Sequence, residues 1–177
     1  PHFTERTVWG LGDGRDLDVM ETPRGRLGGL ICWEHEMALA KYALYAQGEQ
    51  VHCSVWPAYT NQNNHIGFGT RQYAFEGACF VVVACGVATP GSIPEHLRGD
   101  KTRANGGSAI IGRDGEYLAG PVYDKAEILY AELDLEASNG QRHPRGAPRP
   151  QPRPPALQAR PHPPPQPPPP LSHDHPL

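Results

Sequence analysis

The chain has 177 residues, with 19 acidic and 16 basic side chains, a net charge of −3 and 21 prolines. Its charge divides unevenly: residues 1–136 hold 18 acidic and 11 basic side chains, a net of −7, while residues 137–177 hold five Arg and one Asp, a net of +4. An acidic body without clustered Lys or Arg excludes a nucleic-acid-binding surface there, and the longest apolar stretch, residues 79–85, is too short to span a bilayer.

Taken in chain order, residues 17–19 form a first strand-like patch, and a turn at Pro23-Arg24-Gly25-Arg26 leads into Leu27-Gly28-Gly29-Leu30-Ile31, a strand that ends at Cys32. A helix-like run opens there, from Trp33 through Lys41, with Met37, Ala40, Ala43 and Leu44 at helical spacing and Gly48 as its stop. Val51–Trp56 reads as a short strand closed by Pro57, Asn61-Gln62-Asn63-Asn64 as a polar loop, and residues 71–77 as weakly helical. Phe80-Val81-Val82-Val83-Ala84, continuously apolar and rich in β-branched residues, reads as a buried strand. Residues 89–105, with two prolines and no periodicity, read as a loop or lid. Asp114-Gly115 predicts a hairpin turn between Ser108-Ala109-Ile110-Ile111-Gly112 and Glu116-Tyr117-Leu118-Ala119, and residues 128–134 alternate as a final strand. Strands separated by helices in the first half, followed by a hairpin, predict an α/β fold with a mixed sheet.

Cys32 is the candidate nucleophile. The first peptide N–H groups of a helix lack intrahelical partners and present positive potential, so a thiol at a strand-to-helix corner sits where a thiolate is stabilised. The competing reading is inert packing, since cysteine is among the most buried residue types. A zinc site built from Cys32, His35, His52 and Cys53 is disfavoured, because paired Cys-x-x-Cys elements are absent and His52 and Cys53 point to opposite faces of a strand. No metal or other cofactor is expected. His65 and His96 read as solvated loop residues, and Arg71, Tyr73 and Glu76 as parts of an amphipathic core helix. Cysteines 32, 53, 79 and 85 lie in or beside apolar runs, which favours reduced thiols; with no signal-peptide pattern at the start, a soluble, cytoplasmic protein is expected.

Thr4-Glu5-Arg6-Thr7-Val8-Trp9-Gly10, Gly28-Gly29-Leu30-Ile31-Cys32-Trp33-Glu34, Tyr73-Ala74-Phe75-Glu76-Gly77 and Gly107-Ser108-Ala109-Ile110-Ile111-Gly112 resemble, in order, blocks of the nitrilase branch of the carbon-nitrogen hydrolases. The resemblance covers residues 1–136, as the C-terminal portion of the domain. It implies a partial α-β-β-α sandwich and a site built from a Glu base, a Lys and a Cys, often with a second Glu. Cys32 matches the nucleophile. Glu5 matches the second Glu, which in the family follows the catalytic Lys by seven residues, so that Lys and the base Glu count back to positions before Pro1. A surface carboxylate near Arg6 is the alternative for Glu5. The Trp33 backbone N–H matches the oxyanion donor, and Glu34 reads either as a hydrogen-bonding residue behind the nucleophile or as a solvated first-turn acid. The family pattern usually continues Cys-Trp-Glu-Asn, whereas His35, Glu36 and Ala38 follow here; His35 occurs in some cyanide-hydrolysing relatives, which leaves the nitrile undefined.

The resemblance implies hydrolysis of a small-molecule nitrile to a carboxylic acid and ammonia through a Cys thioimidate and acyl-enzyme, with no nucleic-acid or membrane partner and a homo-oligomer in the intact family member. Without the base and Lys, the 177-residue chain is expected to be inactive. Alternatives are an amidase-type relative and a non-catalytic interaction protein using the proline-rich tail. That tail, residues 137–177, is too poor in large apolar side chains to offset its ordering entropy and is expected to be disordered. Its abrupt onset suggests a reading-frame shift in GC-rich coding sequence; the competing reading is a polyproline II segment that docks SH3-like or WW-like grooves.

Overall fold

The computed structural model describes residues 8, 10, 12–59, 62–88 and 104–136. Glu5, residues 89–103 of the expected lid and the 137–177 tail lie outside the described residues.

One mixed sheet organises the fold, with strands in the order β1 (Met20–Thr22), β2 (Gly25–Ile31), β3 (Val51–Trp56), β4 (Phe80–Cys85), β5 (Gly106–Ile111) and β6 (Tyr117–Tyr123). β2, β3 and β4 are parallel; β1 joins antiparallel on one side, and β5 and β6 on the other. Parallel neighbours need crossovers, which α1 (Ala38–Tyr45) and α2 (Asn63–Gly77) supply between β2, β3 and β4. The core lies between these helices and one face of the sheet. Leu30, Trp56, Val81, Val83, Ala109 and Ile111 alternate out of the strands into contact with Ala40, Leu44 and Tyr45 of α1 and Ile66, Tyr73 and Ala74 of α2. The molecule is thus an α/β assembly in which one helix layer covers one sheet, an α-β half of the α-β-β-α arrangement that the resemblance implies.

Four expectations need correction. The first strand is Met20–Thr22 rather than residues 17–19; Leu17 and Val19 pack against the core edge instead. The run after Cys32 is not one helix: residues Cys32–Glu36 make a 3-10 turn, Met37 is extended at ψ 97°, and α1 begins only at Ala38. That break lets His35 enter the core while α1 separately buries Ala40, Leu44 and Tyr45. α2 takes Asn63 and Asn64 out of the expected polar loop and puts His65 on a helix, its Nε2 2.9 Å from Glu36 Oε1 and its ring against Trp33. Low-propensity Asn and Gly are overridden by packing, since Ile66, Thr70, Tyr73, Ala74 and Gly77 bury one helical stripe.

Finally, residues 128–134 are not a strand. Their alternation is real, with residues 129, 131, 133 and 135 half-buried between exposed neighbours. Leu129 packs over Gly120 in β6 and Leu135 over Gly25 at the start of β2, so the segment crosses the sheet instead of running beside a strand.

Candidate active site

Cys32 follows directly on the carboxyl end of β2, at φ +51°, in the left-handed region that residues with a Cβ avoid. Its side chain is half-buried and packs against the core. Two contacts bracket it. The Glu34 carboxylate accepts the Ile31 N–H at 2.7 Å, tying the last residue of β2 to the turn, and His35 Nδ1 lies 2.8 Å from the Cys32 carbonyl oxygen. Trp33, 42% exposed, stands beside the corner with its ring 5.1 Å from that of His65. The structure therefore brings together Cys32, Trp33 and Glu34.

Behind the corner lies a buried polar row. His35 Nε2 is 3.1 Å from His52 Nε2 and 2.8 Å from Ser54 Oγ, His52 Nδ1 is 2.7 Å from Glu49 Oε1, and the Tyr73 hydroxyl donates to Glu49 Oε2 at 2.7 Å. The Trp56 indole N–H donates to Ser54 Oγ at 2.7 Å, and the Trp56 ring stacks on His35 with centroids 4.8 Å apart. His35, Glu49, His52, Ser54 and Tyr73 are all buried. Gly28, opposite His52 in the β2–β3 register, makes room for this row: a Cβ there would collide with the Glu49 carboxylate.

Burial lowers the basicity of His35 to a pKa of about 4, against the support of its bond to the Cys32 carbonyl, so its ring is neutral at physiological pH. Burial and the adjacent Glu49 carboxylate raise the Tyr73 phenol, which keeps it a donor. Burial also raises the thiols of Cys53, Cys79 and Cys85, the last to about 12, which disfavours thiolate at each. Among the described residues, no three His, Cys, Asp or Glu side chains are placed to hold a metal ion.

Sequence reasoning singled out Cys32, Trp33 and Glu34 but did not join Glu49, His52, Ser54, Trp56 and Tyr73 to them. Two signals were available. His52, Ser54 and Trp56 stand at alternate positions of β3 and so share the core face, and a glycine pair inside β2 marks a close approach by other groups.

A family model described as carbon-nitrogen hydrolase matches residues 1–142. Among curated proteins, the chain is 44% identical over 147 residues to a nitrilase of Pseudomonas syringae pv. syringae (strain B728a), covering 75% of this chain and 44% of that protein. It is 41% identical over 151 residues to an aliphatic nitrilase of Rhodococcus rhodochrous, covering 77% of this chain and 41% of that one. The chain thus spans less than half the length of these relatives. Among solved structures, it is similar to a carbon-nitrogen hydrolase from Helicobacter pylori G27, with a TM-score of 0.65 and 25% identity, covering 78% of this chain and 50% of that one.

Proposed function

The chain belongs to the carbon-nitrogen hydrolase family, in its nitrilase branch, and from that premise we propose that it carries the cysteine-bearing part of a site that hydrolyses a small-molecule nitrile to a carboxylic acid and ammonia. One observation carries this reading: a cysteine held at a left-handed strand-to-turn corner, in a chain 44% and 41% identical to two nitrilases.

The Cys32 thiolate attacks the nitrile carbon, and the triple bond becomes the C=N of a thioimidate as a proton reaches nitrogen. Water adds to that carbon, ammonia leaves with a further proton, and a second water hydrolyses the resulting thioester to the acid and the free thiol. The Trp33 N–H donates to the negative charge that develops first on the nitrile nitrogen and then on the oxygen of the tetrahedral intermediates. Glu34 holds the corner through the Ile31 N–H, and Glu5 orients the Lys that shares the charge. By the resemblance the base Glu and that Lys count back to positions before Glu5, so turnover is proposed for a protein that supplies both.

Ammonia release from an aliphatic nitrile, measured on a protein that joins residues 1–177 to a segment supplying the base Glu and the Lys, tests the reading. Turnover abolished by Cys32→Ala supports it. Release from the matching amide but not from the nitrile would replace it with an amidase activity, and nitrile turnover that survives Cys32→Ala would reject it.

A further inference from the structure

We propose that Tyr73, Glu49, His52 and His35 form a buried hydrogen-bond relay of positioning residues that orients and polarises the Cys32–Trp33 peptide, and that one proton held between the two imidazole Nε2 atoms belongs to His52. The inference rests on the reading of the Trp33 N–H as the donor to developing charge.

Proton positions follow from the partners. The Cys32 carbonyl oxygen can only accept, so His35 carries its proton on Nδ1. Ser54 Oγ takes the Trp56 indole N–H and lies 2.8 Å from His35 Nε2. With its one proton on Nδ1, in a ring that burial keeps neutral, His35 offers a single acceptor lone pair at Nε2. At the other end, Tyr73 donates to Glu49 Oε2, and one proton lies between Glu49 Oε1 and His52 Nδ1. If that were the only proton on the Glu49–His52 pair, two bare Nε2 lone pairs would face each other at 3.1 Å and a carboxylate would be buried without a compensating charge. A proton on His52 Nε2 removes both penalties: it points at the one His35 Nε2 lone pair, which it shares with the Ser54 hydroxyl, and the Glu49–His52 pair as a whole becomes neutral. Of the other charged groups, Lys41 disfavours a second positive charge on His35, which leaves the proton on the His52 side.

The relay ends at a peptide bond. The carbonyl of Cys32 and the N–H of Trp33 belong to one amide unit, and only Gly120-Pro121 is cis among the described residues, so the two bonds point in opposite directions. His35 on the core side thus fixes the plane that aims the Trp33 N–H away from the core. A hydrogen bond accepted by a carbonyl also strengthens the N–H of the same amide as a donor. The row acts on the reaction through this peptide and touches no reacting atom.

The test is NMR on the full chain with 15N-labelled histidine and tryptophan. Long-range proton–nitrogen correlations at neutral pH are expected to show His35 protonated on Nδ1 only and His52 protonated on Nε2. A bare Nε2 on His52, or a bare Nδ1 on His35, overturns the relay. The second measurement is the Trp33 amide signal in His52→Leu, which removes the Nε2 donor, and in His52→Gln, whose side-chain amide nitrogen can stand where Nε2 does. An upfield amide-proton shift in the Leu variant that the Gln variant reverses supports transmission through His35. Equal Trp33 signals in all three proteins would reduce the row to packing and overturn the proposal. None of these signals depends on turnover, so correct tautomers together with nitrile turnover that survives Cys32→Ala reject only the nitrilase reading, and wrong tautomers together with turnover that Cys32→Ala abolishes reject only the relay.

Discussion

On the helix-covered face of the sheet, Leu30, Val81, Val83, Ala109 and Ile111 are buried against α1 and α2, and the polar groups among them, His52 and Ser54, have hydrogen-bond partners. On the other face, Gly29, Cys53 and Val82 lie side by side in register, followed by Ile31, Val55 and Ala84, and Ile31 is 60% and Val55 45% exposed. Parallel strands normally have cover on both faces. Here both faces are largely apolar, yet among the described residues only one has a helix layer over it; the other buries Val51, Phe80 and Ile110, is crossed by the segment that sets Leu135 over Gly25, and leaves Ile31 and Val55 open. The covered face shows what such strands are built to do, namely exclude water and hold polar groups in fixed geometry.

The contrast can be broken most forcefully at its buried polar centre. His52→Ala strips Glu49 and His35 of a shared partner, and urea unfolding is expected to report a loss of about 3–5 kcal/mol, the range for breaking a buried ionic pair. Acid acts on the same face more gradually. The unfolded chain binds a proton at an ordinary histidine pKa of about 6.5, whereas folded His35 resists until about 4, so stability is lost as pH falls through that window and is independent of this group above it. The expected loss is about 3 kcal/mol, read from unfolding midpoints between pH 7 and pH 4. Gly28→Ala places a methyl group against the Glu49 carboxylate, forces it off His52, and is expected to cost about 1–3 kcal/mol by the same assay. The open face should answer least. Val55→Ser is expected to change unfolding free energy by no more than about 0.5 kcal/mol while reducing binding of a hydrophobic dye. A loss as large as that of Gly28→Ala would show that Val55 is covered after all.

Strands β3, β4 and β5 were legible because continuous or alternating apolar runs bounded by turn residues have few other uses, and the β5–β6 hairpin because Asp114-Gly115 suits a tight turn. Cys32 was legible because an apolar run changes period there. Residues 128–134 misled because alternation reports one-sided burial and says nothing about a hydrogen-bonded neighbour; the segment buries alternate residues while crossing the sheet. The start of α2 was hidden by residues whose local preferences oppose helix and are overridden by Ile66, Thr70 and Tyr73 packing on the sheet. The polar row was hidden for a different reason. Glu49, His52 and Ser54 are near neighbours in sequence, but His35 and Tyr73 join them from other elements, and only the fold makes them adjacent.

The left-handed conformation of Cys32 sets what the backbone favours at this position against what the side chain offers. If the backbone alone decided residue 32, the choice at φ +51° would be glycine, which takes this conformation without steric penalty. A side chain there is held against the local preference of the chain, as it is at Ala58 and Ala78, which take the same left-handed conformation. At position 32 the preference of the backbone and the chemistry of the side chain thus separate: the strain is shared with two alanines, and what is particular to this site is a sulfur at the carboxyl end of β2.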